Sequence, residues 1–268
     1  MSLIRRIVFH KNLIVRMIPR NPILYTLFKR YISKYDGENN SNMYKNGEIR
    51  FLSRNVKNSK VIFDIGANIG QWTRIALNIN KDLNIHCFEP SKSTYDKLVN
   101  NNFPPNVNCN NIGLSSSKNE QNLFIFSKGG GLNSLYQREG LYNRYKKFSP
   151  KKEKVQLDTL DNYCDENSIS KIDFMKIDAE GHEFEILKGG KNLLHNSQVN
   201  IIQFEYGGCS IDAHVFLKDI FDFFKDLDYN FYKIYPNSIK LVPKYIYNFE
   251  NFQYQNWLII KKDYKFFP

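Results

Sequence analysis

Residues 61–73 read VIFDIGANIGQWT. An apolar run reaches Asp64, a turn carries Gly66, Asn68 and Gly70, and QWTRIALNI (71–79) continues at helical spacing. A strand that feeds a glycine-bearing turn and then a helix is the first half of a βαβ unit. Such units build mostly parallel sheets with helices on both faces. Glycine lets the backbone approach a ligand closely, and the first N–H groups of the helix favour negative charge. A second apolar run, LNIHCFEP, ends at Glu89, 25 positions beyond Asp64. A carboxylate at the tip of the second strand can accept from two neighbouring ribose hydroxyls.

The alternation continues. Strands are expected at 61–65, 84–89, 107–112, 122–127, 172–177 and 199–205, and helices at 71–79, 92–102, 183–195 and 213–227. The last helix is the clearest, with Phe216, Leu217, Ile220, Phe221 and Phe224 on one face and Lys218, Asp222 and Lys225 opposite. After residue 229 no long helix is expected; two closing strands, at least one antiparallel, would finish the sheet. Residues 49–268 thus read as one α/β domain.

Residues 1–48 read as a basic helical extension and linker. Residues 1–35 hold eight Lys and Arg and no acid. They read as two short amphipathic segments broken at Pro19 and Pro22. Such a segment either caps the main domain or rests on an anionic membrane face. The polar stretch 36–48 reads as a linker or mobile loop. Residues 128–154, with Gly129 to Gly131 followed by many cations, read as an insertion or lid. Arg138, Arg144, Lys146 and Lys147 in it are candidates to hold an acceptor phosphate.

The net charge of +11 points the same way, to phosphate-bearing partners or to a basic solvated surface. The four cysteines form no C-x-x-C pair, so neither a zinc site nor a disulfide framework is indicated, and a reducing cytosol suits them. No run of 18 apolar residues and no signal peptide is evident. The expected location is the cytoplasm, with peripheral contact at the inner face of the membrane.

The turn spacing is G-x-N-x-G and lacks the middle glycine of the dinucleotide fingerprint. A ligand without pyrophosphate does not need that bare position. S-adenosylmethionine fits: Asp64 would take its ammonium, directly or through water, the helix start near Asn68 and Gly70 its carboxylate, and Glu89 its ribose. The loop carrying Asn111 and Gly113 would lie against the adenine. Further on, IDFMKIDAEGHEFEILKGG (172–190) ends a strand in acids and a histidine. Asp178, Glu180 and His182 are the candidates for chemistry, His182 as the group that takes a hydroxyl proton. Glu183 reads as a helix-start partner. A divalent metal held by Asp178, Glu205 and His182, with Glu180 nearby, is an alternative route to the same proton.

DIGANIGQWT, FEPS, NIGLS, VQLDTLDNY and KIDAEGHEFEILKG occur in the order of the FkbM-type methyltransferases, which the chain resembles over residues 55–207 and weakly at NWLII (256–260). The resemblance implies a Rossmann-like class I methyltransferase with a mostly parallel seven-stranded sheet. It implies S-adenosylmethionine-dependent O-methylation, with sugar hydroxyls of nucleotide-linked or surface glycans as acceptors. Asp64, Gly66, Asn68, Gly70 and Glu89 would hold cofactor, and Asp178, Glu180 and His182 would face the reacting centre. An NAD-dependent oxidoreductase would share Glu89 but wants the missing glycine. A nucleic-acid methyltransferase would explain the charge, yet DAEG stands where base methylation uses [DN]-P-P-[YF]. A membrane-associated assembly protein without turnover is the non-enzymatic reading.

Overall fold

A computed structural model describes residues 20–126, 131–138 and 150–268. The chain falls into two compact units, Met1–Asn39 and Asn40–Pro268. In the first, α1 (Pro22–Tyr35) is a single helix. Pro22 starts this helix instead of breaking it, because a first-turn position needs no N–H. The Asn21 side-chain oxygen accepts from the Ile23 and Leu24 N–H groups at 2.8 and 3.2 Å. At the other end Gly37 is left-handed. Its N–H donates to the Lys34 carbonyl and the Glu38 N–H to the Ser33 carbonyl, a Schellman cap. Pro19 and the preceding segment lie outside the described residues.

The second unit opens with α2 (Glu48–Asn55), then β1 (Val61–Ile65), α3 (Gln71–Ile79), β2 (Asn84–Phe88), α4 (Lys92–Val99) and β3 (Val107–Asn110). Next come β4 (Gly113–Leu114), β5 (Asn119–Ile125), β6 (Lys151–Asp158), α5 (Leu160–Glu166) and β7 (Ile172–Ile177). Then follow α6 (Glu183–Gly189), α7 (Lys191–His195), β8 (Val199–Tyr206), α8 (Cys209–Asp212) and α9 (Leu217–Phe224). The strands β9 (Tyr229–Tyr235), β10 (Ser238–Val242) and β11 (Gln255–Lys261) complete the order.

The main sheet has eight strands in the order β10-β9-β11-β8-β7-β1-β2-β3. The run β8-β7-β1-β2-β3 is parallel, β11 is antiparallel to both β8 and β9, and β10 is antiparallel to β9. Seven of these strands make the expected Rossmann-like sheet. The eighth exists because Pro236 and Asn237 form a two-residue turn that folds Ser238–Val242 back onto β9. Both faces are covered. On β11, Trp257 and Ile259 enter one core layer with α5, α6, α7 and α9, while Leu258 and Ile260 enter the other with α2, α3 and α4.

Several boundaries differ from expectation. The strand expected at 107–112 stops at Asn110. The Asn111 amide donates to the carbonyls of Glu89 and Pro90 and draws the chain off the sheet. Gly113–Leu114 then joins a second, three-stranded sheet, β4-β6-β5, in which β6 includes Lys151–Lys154 from the expected insertion. The helix expected at 183–195 is two helices meeting at Gly190, where a Cβ would lie 2.5 Å from Leu160. The helix expected at 213–227 is regular only over Leu217–Phe224, since the Asp219 carboxylate accepts from the Phe216 N–H at 2.8 Å and fixes the start.

Candidate active site

Register sets a polar row across the apolar sheet. Cys87, Asp64, Lys176 and Gln203 are neighbours on β2, β1, β7 and β8, and all four are buried. In-register residues project to one face. Lys176 Nζ lies 2.8 Å from Asp178 Oδ2. The Gln203 amide donates to Glu48 and to Asn256 Oδ1. Thr73 donates to Asp64 Oδ2 at 2.6 Å, and Asp64 Oδ1 has no protein partner. Burial opposes the charge on Lys176. Asp178, Asp64, Glu48 and Glu205 together outweigh it and hold the ammonium above its ordinary range. Burial in turn raises Glu48, Asp64 and Glu205. Four carboxyl groups thus crowd one ammonium.

A cavity of about 460 Å³ opens at these strand ends, within the size range of small-molecule sites. The turn after β1 forms one wall. Gly66, Asn68 and Gly70 all have positive φ. A Cβ on Gly66 would lie 1.8 Å from the Asp178 carbonyl oxygen, so only glycine lets the ends of β1 and β7 meet. Four N–H groups of this turn are engaged. Those of Gly66 and Ala67 donate to the Phe88 carbonyl, that of Gly70 to Ala67, and that of Asn68 to Glu89 Oε2 at 3.1 Å. The turn therefore positions Glu89. Glu89 Oε1 accepts from the Ser91 N–H at 3.0 Å, which fixes the carboxylate plane facing the cavity. Burial lifts Glu89 to about 7, against the pull of these two N–H groups.

A second wall is the loop after β7 with residues 131–138 strapped over it. Ser134 Oγ donates to the Glu180 carbonyl at 2.7 Å, Arg138 pairs with the Glu180 carboxylate, and Tyr136 bonds His182 Nδ1 at 2.9 Å. Glu180 has φ of 50°, a left-handed conformation uncommon for a non-glycine residue, next to Gly181. Burial and then Asp178 raise Glu180 to about 8. His182 bonds Ser115 Oγ through Nε2 at 2.9 Å, so both ring nitrogens are occupied, and burial lowers it to about 4. Glu183 accepts from the N–H groups of Ala179 and Gly181 and pins the turn, as a helix-start residue should.

Gly66, Asn68, Glu89, Gly113, Arg138, Asp178, Glu180, His182 and Glu205 all line this cavity. Three expected cofactor residues stand behind the wall. Asp64 sits fully buried under Thr73, Gly70 packs on Leu98 and Phe103, and Asn111 braces Glu89 and Pro90. Arg138 points its charge at Glu180 and not outward, leaving Nε–H buried without a protein partner. Arg144, Lys146 and Lys147 lie outside the described residues. The expected metal set has other partners here: both His182 nitrogens are hydrogen-bonded, and Lys176 pairs with Asp178 Oδ2. Among the described residues no cluster of three His, Cys, Asp or Glu could hold an ion.

Sequence reasoning missed Lys176, Glu48, Ser115, Tyr136 and Tyr254. Lys176 carried a signal, a lone charge inside the buried strand FMKI. Glu48 carried none; it ends the stretch read as a linker, yet Ser41, Met43 and Glu48 line the cavity. Gly47 seats that stretch, since a Cβ there would lie 2.1 Å from the Tyr235 carbonyl oxygen. Tyr254 donates to Glu205 at 2.7 Å and completes the far wall.

Comparison with known proteins adds to this geometry. A hexuronic acid methyltransferase, AglP, of Haloferax volcanii is 27% identical over 161 residues, 59% of this chain and 62% of the relative. A 2-O-methyltransferase, NoeI, of Sinorhizobium fredii is 26% identical over 159 residues, 56% of this chain and 64% of the relative. The alignments thus span somewhat less than two thirds of either relative. A crystal structure of a methyltransferase FkbM from Methylobacillus flagellatus superposes with a TM-score of 0.46 at 15% identity, covering 75% of this chain and 44% of that one. The methyltransferase FkbM domain matches residues 64–231, well over half of the chain, and the protein belongs to that family.

Proposed function

We propose that this protein is an S-adenosylmethionine-dependent O-methyltransferase whose acceptor is a hydroxyl of a sugar bearing an acid group. The observation that carries the reading is one cavity lined by Glu89 together with Asp178, Glu180 and Glu205. The cofactor fits this cavity on two counts. Glu89 keeps spare lone pairs for two ribose hydroxyls, and the buried Asn68 Oδ1, with no protein partner, can accept from an ammonium or hydroxyl. Asp178 and Glu205, two of the acids crowded around Lys176, line the cavity and can accept from a ligand ammonium. When bound, S-adenosylmethionine supplies the methyl group on a good leaving group.

The chain's own work is alignment and proton removal. Alignment of two reactants can contribute up to ~7–11 kcal/mol, and a general base about 10²–10⁴-fold. We assign the proton to Glu180, which lines the cavity and which the left-handed backbone and Arg138 hold in place. His182, expected to be the base, instead positions the loop: its neutral ring bridges Tyr136 and Ser115. Arg138 Nε–H remains to donate to a carboxylate or phosphate on the sugar. The relatives' names, one a hexuronic acid methyltransferase and one a 2-O-methyltransferase, support a sugar acceptor.

The test is titration calorimetry with S-adenosylhomocysteine and with NADH, followed by methyl transfer to nucleotide sugars and to uronate-containing oligosaccharides. Binding of the first ligand alone, with transfer to acidic sugars above their neutral counterparts, is expected. Well-folded protein that gives no heat with S-adenosylhomocysteine would refute the reading. Glu89→Gln should weaken cofactor binding by ~1.5–3 kcal/mol, the worth of a hydrogen bond to a charged group.

A further inference from the structure

Helix α1 is an autonomous amphipathic element. Asn21 and Pro22 set its start and the Gly37 Schellman cap its end, so its length is defined without help from packing. None of its residues is buried. At 3.6 residues per turn, Tyr25, Leu27, Phe28, Tyr31, Ile32 and Tyr35 share one arc of about 160°. Each of these six is at least 50% exposed, and Tyr31 and Tyr35 stack within the arc at 6.3 Å. Lys29 and Lys34 sit at the two borders of the arc, and Arg30 lies on the polar side between them with Thr26 and Ser33.

A soluble helix does not normally show water a contiguous face of this kind. Its chemistry identifies what covers it. Three of the six exposed apolar side chains are tyrosines, which place a ring in hydrocarbon and a hydroxyl at the polar boundary. Border lysines can lay their stems along the apolar face and reach outward with the charge. No acid occurs anywhere in residues 1–35, against eight Lys and Arg. A second copy pairing through the same face would bring like charges together, whereas an anionic lipid surface complements them. No described helix is long and apolar enough to cross a membrane, so the helix would lie in the interface plane.

We infer that α1 docks the protein on an anionic lipid surface, with the Tyr25–Phe28–Ile32 face inserted and Lys29, Arg30 and Lys34 among the headgroups. Pelleting of the full chain with phosphatidylcholine vesicles, with and without phosphatidylglycerol, tests this. Methyl transfer is not read, so the result is independent of the catalytic proposal. Retention on anionic vesicles is expected, weakening as salt is raised. Phe28→Ser with Ile32→Ser should reduce partition about tenfold per side chain. Joint replacement of Lys29, Arg30 and Lys34 by Gln should reduce it roughly 100-fold, about fivefold per charge. All five side chains are exposed, so circular dichroism should match the parent protein. Equal pelleting with neutral vesicles, or retention unaffected by the Phe28 and Ile32 changes, overturns the proposal. So does a dimer in sedimentation that Phe28→Ser converts to monomer, which would assign the face to a second copy.

Discussion

Lys176→Met removes the one ammonium from the buried polar row while keeping most of the side-chain volume. At 2.8 Å from Asp178, and at an effective dielectric constant near 20, the pair attraction is about 6 kcal/mol. Desolvation of the ammonium offsets part of this, and breaking one partner of a buried pair typically costs ~3–5 kcal/mol. That range is the expected loss near pH 8. The loss should also depend on pH. In the variant Asp64, Glu48 and Glu205 lose the cation that favours their ionised forms, so their folded-state values rise. Carboxyls raised on folding bind more protons folded than unfolded, so their stabilisation is present at low pH and fades as pH rises. The deficit relative to the parent should therefore widen from pH 5.5 to pH 8. Urea unfolding of both proteins at the two pH values measures it. A deficit that is flat across this range, or under ~1 kcal/mol at pH 8, would refute the view that Lys176 is an electrostatic keystone and leave it a packing residue.

Gly66→Ala forces a left-handed conformation on alanine and drives a Cβ against the Asp178 carbonyl. A loss of roughly 2–5 kcal/mol in denaturant unfolding is expected, with cofactor affinity falling as the ends of β1 and β7 separate. Glu180→Gln should lower kcat about 10²–10⁴-fold while calorimetry finds S-adenosylhomocysteine bound as before. His182, held near 4 against an ordinary value near 6.5, stays neutral on folding, so its contribution is lost as pH falls through that window. His182→Gln, which cannot charge, should lose less stability between pH 6.5 and pH 4, by on the order of 3 kcal/mol, as urea midpoints would record.

What could be read from the chain was whatever local chemistry dictates. The strand–turn–helix over Val61–Ile79 and the strand Ile172–Ile177 fall where hydrophobic pattern and glycine place them. Glu89 and Asp178 end strands, and strand ends in an open α/β sheet meet at the ligand crevice. What could not be read was set by register and by distant partners. Asp64 carries the same strand-end signal as Glu89, yet its neighbours in the sheet turn it into the row beneath the cavity. His182 looked available because nothing in sequence announces that Ser115 and Tyr136 will take both its nitrogens. The strand β10 turned on two residues, Pro236 and Asn237, and the stretch 40–48 on Gly47 meeting Tyr235; neither meeting leaves a periodic trace.

The way Glu48 reaches the cavity bears on how the protein is made. Its carboxylate is held by Gln203, a contact spanning 155 positions, and Gly47 rests beneath the carbonyl of Tyr235. The far wall waits for Tyr254. A chain that has left the ribosome only through β8 holds the glycine turn, Glu89 and Asp178 but has neither the support for Gly47 nor that tyrosine. Contacts of such long separation form late and slowly. Tight ligand binding should therefore be a late property of a nascent chain, gained only once synthesis has passed Tyr254.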